Sequence, residues 1–230
     1  LDSIPEYELP EGFRFASYSG PKSRESWLNI EESAGEFLWP GEGEAAWDQY
    51  YGGKEEALDG RMFFIETASG EKVATATAYY GSWDQTETGW LHWVAVRRDF
   101  QGQGLSRPLI SRALMRLRQL GCKSIRIPTQ TNTWLALKIY LDFGFRPLPE
   151  NAADSRFGYS MMRTVTNHPA LSSFPPAEEK DLWDPRMLAL SRQLQDRFPD
   201  LIGFKAWKEK GNLLCFRRPE GVFSTIYDWG

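Results

Sequence analysis

Between positions 96 and 107 the chain reads Val-Arg-Arg-Asp-Phe-Gln-Gly-Gln-Gly-Leu-Ser-Arg, a loop punctuated by glycines that leads into an amphipathic run. A helix that starts from such a loop exposes unpaired backbone N–H groups and the positive end of its dipole. Glycine lets that backbone approach a ligand closely, so residues 101–106 can cradle an anionic pyrophosphate. A triphosphate-binding loop would need Gly-Lys-Ser/Thr, and a dinucleotide turn would need a third glycine where Arg107 stands. Both competitors fail, which leaves coenzyme A as the pyrophosphate ligand, with Gln101, Gly102, Gln103, Gly104, Leu105 and Ser106 as its candidate contacts. A second reactive group, His92, lies just upstream. An imidazole with an ordinary pKa of about 6.5 can accept a proton near neutrality, and a hydrogen-bonded structural histidine is the competing account. The other histidine, His168, sits among prolines and is assigned no role.

These groups must be positioned by the elements around them. Two-residue alternation over 90–96 predicts a strand with Trp90, His92, Val94 and Val96 on one face and Leu91, Trp93 and Ala95 on the other. Residues 105–120 carry Leu109, Ile110, Ala113, Leu114 and Leu117 at helical spacing and end at Gly121. A further strand at 123–128, a helix at 133–143 closed by Gly144 and a sixth strand at 145–148 follow. Upstream, 13–18 is expected as the first strand, 21–33 and 44–58 as helices, and 61–67 and 72–80 as a hairpin. A strand-helix-strand alternation requires right-handed crossovers between parallel neighbours, so the expected class is α/β with a mixed (α+β) sheet. The order predicts a main domain over 1–164, a proline-bearing linker over 165–180 and an appendage over 181–230. In the appendage, Asp184-Pro185 opens a helix to about residue 198, and three short strands follow at 204–208, 213–216 and 223–227.

Composition narrows the class of partner. With 41% hydrophobic and 25% charged residues the chain can bury a core, and a net charge of -4 offers nothing to a phosphate backbone, so nucleic acid is not expected. Two cysteines and no Cys/His cluster predict neither a disulfide framework nor a metal site. The opening residues lack a basic end and an apolar run, and no stretch has membrane-spanning length. The expectation is a cytoplasmic protein with no membrane partner.

Gln101, Gly104 and Ser106 after a valine-rich strand resemble the Gln/Arg-x-x-Gly-x-Gly/Ala motif of the GNAT superfamily of acyl-CoA-dependent N-acetyltransferases, with Ser106 the conservative departure. The run Ala-Leu-Lys-Ile-Tyr-Leu-Asp-Phe-Gly-Phe over 136–145 resembles that family's helix with a tyrosine before a Gly-Phe strand entry. The resemblance spans 61–148, extends to 13–58 as the family's variable substrate-side helices, and implies a GNAT-like N-acyltransferase fold with a small C-terminal helix-plus-strands appendage. It further implies acetyl-CoA as acyl donor, no metal, and a small-molecule or peptide amine as acceptor, with monomer and homodimer both open.

The residue roles that the resemblance implies are specific. Tyr140 is the acid that protonates the departing thiolate. The Val94 N–H stabilises the oxyanion, the edge at Val94, Ala95 and Val96 pairs with pantetheine, and Asn132 or Thr133 contacts the same arm, Thr133 doubling as a helix cap. The run His-Trp-Val-Ala-Val over 92–96 is similar to the strand of arylalkylamine N-acetyltransferases, whose histidines relay the amine proton; this makes His92 the base candidate, with Glu66 or Glu87 acting through water as the alternative. Arg97, Arg98 and Arg107 are candidates to assist the phosphates. Trp27, Trp39, Trp47, Tyr50 and Tyr51, interspersed with Glu31, Glu32, Glu36, Glu42, Glu44 and Asp48, could hold a cationic amine. The plainer reading, an amphipathic helix pair with a solvated acidic side, is preferred. Against a catalyst stand a non-catalytic CoA-binding sensor and an assembly scaffold. Retention of both Tyr140 and His92 favours catalysis.

Overall fold

The structure, a computed structural model, describes residues 3–37, 40–79, 87–129, 133–148, 153–177, 202–204, 212–217 and 223–228. It divides into two units, Leu1–Pro128 and Thr129–Gly230.

The first unit is a five-stranded sheet in the order β1-β2-β3-β4-β5, built from β1 (Phe13–Ser17), β2 (Met62–Thr67), β3 (Lys72–Tyr79), β4 (Thr88–Val96) and β5 (Ser124–Arg126). The first four strands pair antiparallel, and β5 alone joins parallel to β4, after the crossover helix α3 (Ser106–Gln119). The two faces are sorted by alternation along β2. Phe64 joins Trp27, Ile30, Trp47, Tyr51, Leu58, Met62 and Ala95 in a core under α1 (Pro21–Ala34) and α2 (Glu42–Tyr50). Its neighbour Phe63 lies under the Arg112 guanidinium of α3, 5.2 Å from the ring centre. Along α3 the predicted stripe Leu109, Ile110, Ala113, Leu114 and Leu117 is buried. The helix expected over 44–58 is interrupted: α2 stops at Tyr50, and a separate 3-10 turn covers Glu55–Leu58. Gly52-Gly53 lies between them, and Gly53 takes φ 70°, which a helix cannot continue through.

In the second unit α4 (Trp134–Asp142) and α5 (Ala153–Thr166) share a small core of Leu137, Leu141, Met161, Met162 and Leu171. The sixth strand expected at 145–148 does not form. Gly144 at φ 94° and Phe145 donate their N–H groups back to the carbonyls of Leu141 and Tyr140, closing α4. Two residues on, Pro147 has no N–H to give a ladder. The start of the expected linker is packed, since Leu171, in a 3-10 turn over Pro169–Leu171, is fully buried. The appendage carries the antiparallel meander β6 (Ile202–Phe204), β7 (Asn212–Arg217) and β8 (Phe223–Asp228); β6 ends at Phe204, where the first strand was expected to begin, and residues 205–208 lie outside the described residues. The helix expected to begin at Asp184 lies outside the described residues.

Candidate functional site

β4 carries an irregularity that alternation could not reveal. Thr77 pairs with His92 and Thr75 with Ala95, so two residues of β4, Trp93 and Val94, oppose one of β3. Trp93 takes φ 48°, a left-handed conformation uncommon outside glycine. A bulge reverses the facing of everything after it. Ala95, expected opposite His92, therefore falls in the α1/α2 core whose Tyr51 touches His92, and Val96 is turned away from the histidine's face. This corrects the single face expected for His92, Val94 and Val96.

The bulge also decides where backbone donors point. Arg97 donates its N–H to the Val73 carbonyl at 2.9 Å. Alternation along the antiparallel ladder beyond the bulge then aims the Ala95 N–H at β3 and that of Val96 away from it. On that outer side the pairing with β5 ends at Trp90. Val96 thus lies on a side of β4 that β5 does not cover.

The glycine loop begins directly after this strand. Gly102 and Gly104 take φ 80° and 79°, and among the described residues no side chain caps the start of α3. Leu105 is buried and pins the turn, and the Gln101 side-chain amide donates to the Val96 carbonyl at 3.0 Å, tying the loop to the strand. An N-terminal segment unseen in the sequence reading runs alongside. Ser111 donates to the Pro5 carbonyl at 2.7 Å, and a Cβ on Gly104 would lie 3.7 Å from Pro10.

The arginines are largely committed elsewhere. Arg97 is engaged by Glu71 and by Asp99 and lies over Phe100. Arg98 approaches Gly35 at the end of α1, its backbone N–H bonded to Ser33, and Arg107 rests against Tyr7. The carboxylate alternatives are also paired, Glu66 with Arg14 at 2.6 Å and Glu87 with Lys123 at 2.5 Å.

His92 is enclosed by rings. Tyr50 and Tyr79 lie 4.8 Å from it, and the Tyr51 hydroxyl is 3.2 Å from Nδ1. Burial lowers its pKa from 6.5 to about 4. Tyr51 donates to Thr77 at 3.2 Å; the imidazole tautomer with its hydrogen on Nδ1 would also satisfy Tyr51 and leave a lone pair on Nε2. No sequence signal singled out Tyr51 for this duty. In the other unit Tyr140 is buried on α4, edge-on to Phe145 at 6.2 Å. Thr133 stands at the N-cap position of α4 but makes no capping bond; its hydroxyl lies 3.0 Å from that of Thr129. Asn132 lies outside the described residues. The helix pair departs from the preferred reading at one residue, since Glu31 is fully buried rather than solvated.

The family model described as "Acetyltransferase (GNAT) family" matches residues 24–145. Among curated proteins, the chain is 34% identical over 85 residues to GCN5-related N-acetyltransferase 4, chloroplastic, of Arabidopsis thaliana, covering 33% of this chain and 29% of the relative. It is 25% identical over 85 residues to N-alpha-acetyltransferase MAK3 of the same plant, covering 37% and 45%. The matched segments span less than half the length of these relatives. Solved structures similar to it include the ribosomal-protein-S18-alanine N-acetyltransferase of Escherichia coli (20% identity, 62% of this chain and 86% of that one, TM-score 0.46) and Ard1 of Thermoplasma volcanium (19%, 63% and 91%, TM-score 0.47). The family match takes in more than half of the chain, including the bulged strand, the glycine turn after it and the tyrosine helix, and on that match the chain belongs to the GNAT acetyltransferase family.

Proposed function

We propose that the protein transfers an acetyl or other short acyl group from acyl-CoA to a primary amine by direct attack. The observation that carries this reading is the bulge in β4, with Trp93 at φ 48°, immediately before the glycine loop. The pyrophosphate would lie on the N–H groups of residues 102–106, and the pantetheine arm would pair along Val94 to Val96. The amine nitrogen attacks the thioester carbonyl, the C–N bond forms as the C–S bond breaks, and the Val94 N–H stabilises the oxyanion between them. His92 Nε2 accepts the amine proton. Tyr140, placed by the family motif before Gly144-Phe145, is assigned the proton delivered to the departing thiolate. Asn132 and Thr133 keep their proposed place beside the pantetheine arm.

Two cysteines, with Cys122 buried and outside any disulfide, support a reducing compartment, and the cytoplasm is the location we assign. Residues 1–164 are assigned to the transferase, with the remainder as an appendage. Thiol release from acetyl-CoA, screened over primary amines, tests the activity. Tyr140→Phe should lower kcat by roughly 10²-fold to 10⁴-fold with acetyl-CoA affinity barely changed. Absence of acetyl-CoA binding to the wild type by calorimetry would overturn the assignment.

A further inference from the structure

Glu31 sits on α1 one turn beyond Trp27, fully buried, and among the described residues neither carboxylate oxygen has a hydrogen-bond partner. The indole N–H groups of Trp27, Trp47 and Trp93 are buried without partners too. An unpaired buried polar group costs about 1–3 kcal/mol, and natural cores hold few. Here the three tryptophans belong to one cluster: the Trp27 ring centre lies 5.3 Å from those of both Trp47 and Trp93, and 5.9 Å from that of Phe37, while Glu31 acts electrostatically on Tyr51 of the same core. At position 31 a leucine or methionine would fill similar space with no carboxyl to leave unpaired, so packing alone does not explain a glutamate there.

The charge balance of the cluster points to what is missing. Burial, and after it the nearby Glu36, hold the Glu31 carboxyl well above its usual range. Among the described residues, neither carboxylate is ion-paired with a lysine or arginine. Arg24, on the same helix, pairs with Asp48 and lies 6.0 Å from the Trp47 ring centre. The cluster therefore sets a buried carboxyl, protonated while no cation is present, beside packed aromatic rings; an ammonium arriving there would ionise the carboxyl and lie against the rings. Its position matters equally. Trp93, which packs on Trp27 and Phe37, is the bulge residue at φ 48° and the immediate neighbour of Val94. A non-glycine residue persists in that conformation only where its surroundings hold it, so the ring that closes the cluster is tied to the backbone that would receive the thioester.

Resting on the acyl-transfer reading above, we propose that this cluster is the acceptor subsite, taking a primary ammonium on a compact apolar body with Glu31 as its counter-ion. Because Glu31 is sealed in the unliganded protein, entry requires the Trp93 ring to turn aside. Three of the walls are indoles, so the full chain can be titrated with benzylammonium chloride and followed by intrinsic fluorescence, with benzyl alcohol as the neutral comparator. The expected result is saturable binding of the ammonium and none of the alcohol. Glu31→Gln, nearly isosteric with the protonated carboxyl, should weaken ammonium binding by about tenfold or more, with acetyl-CoA affinity unchanged on the same preparation. Equal binding by the variant, saturable binding of the alcohol, or no ammonium binding by the wild type would overturn the proposal. The comparison of ammonium with alcohol needs only the wild type, so it decides even if the variant does not fold. Loss of acetyl-CoA binding by the wild type would instead remove the acyl-transfer reading, while the fluorescence titration still reports on the cation site.

Discussion

His92 shows how far environment moves a group whose type alone suggests ordinary behaviour. An unperturbed imidazole would place the rising limb of a pH–rate profile near 6.5, whereas burial moves its pKa to about 4. Activity should therefore rise with pH through about 4 and show no inflection from His92 near neutrality, and His92→Gln should remove that low limb. The same shift makes a stability prediction. Between pH 6.5 and 4 the unfolded chain binds a proton that the folded one refuses, so stability contributed by the neutral imidazole is complete above 6.5 and lost as pH falls through about 4. The loss should reach about 3 kcal/mol, seen by denaturant titration of wild type against His92→Gln. Glu31 has the opposite sign. Its carboxyl, raised above the ordinary 4.5, holds a proton in the fold that the unfolded chain releases, so stability declines as pH rises above that value. In the absence of amine, Glu31→Gln should therefore raise Tm, and by more at pH 8 than at pH 5. A variant that melts with the wild type at both would mean the carboxyl is already ionised and partnered.

At the scale of elements, the glycine loop was legible because its requirement is local. Gly102 and Gly104 occur where the backbone takes positive φ, and the amphipathic run after them has to be a helix. Gly104→Trp meets two obstacles, the left-handed backbone at φ 79° and the volume of an indole in the space over the loop. It should abolish acetyl-CoA binding by calorimetry while circular dichroism stays near wild type; unchanged affinity in a folded variant would move the pyrophosphate elsewhere. The β4 bulge was not legible, because its left-handed residue is a tryptophan and nothing in His-Trp-Val-Ala-Val marks an extra residue. The register is set by β3, whose Thr75 and Thr77 are spaced by two while their partners Ala95 and His92 are spaced by three. The strand expected at 145–148 failed for a related reason, since the N–H groups that would start it are used to close α4.

Across the whole molecule, a ligand that binds only the folded chain raises its stability by mass action. Acetyl-CoA at about 100 times its Kd should add about 2.7 kcal/mol and lift Tm by roughly 5 °C or more, with no lift for Gly104→Trp. An equal lift in both proteins would show binding away from the loop. By itself the sequence determined what depends on neighbours a few residues apart: the order of strands and helices up to α4, the turn glycines, the buried stripe of α3 and the motif spacing that marks the family. Only the tertiary structure decided what depends on residues far apart in the chain. It turned Val96 off the face of His92 through pairing with β3, engaged Arg97 with Glu71 and Glu87 with Lys123, and set His92 against Tyr51. It also buried Glu31 completely, because burial and charge pairing are properties of packing that no spacing along one strand or helix encodes.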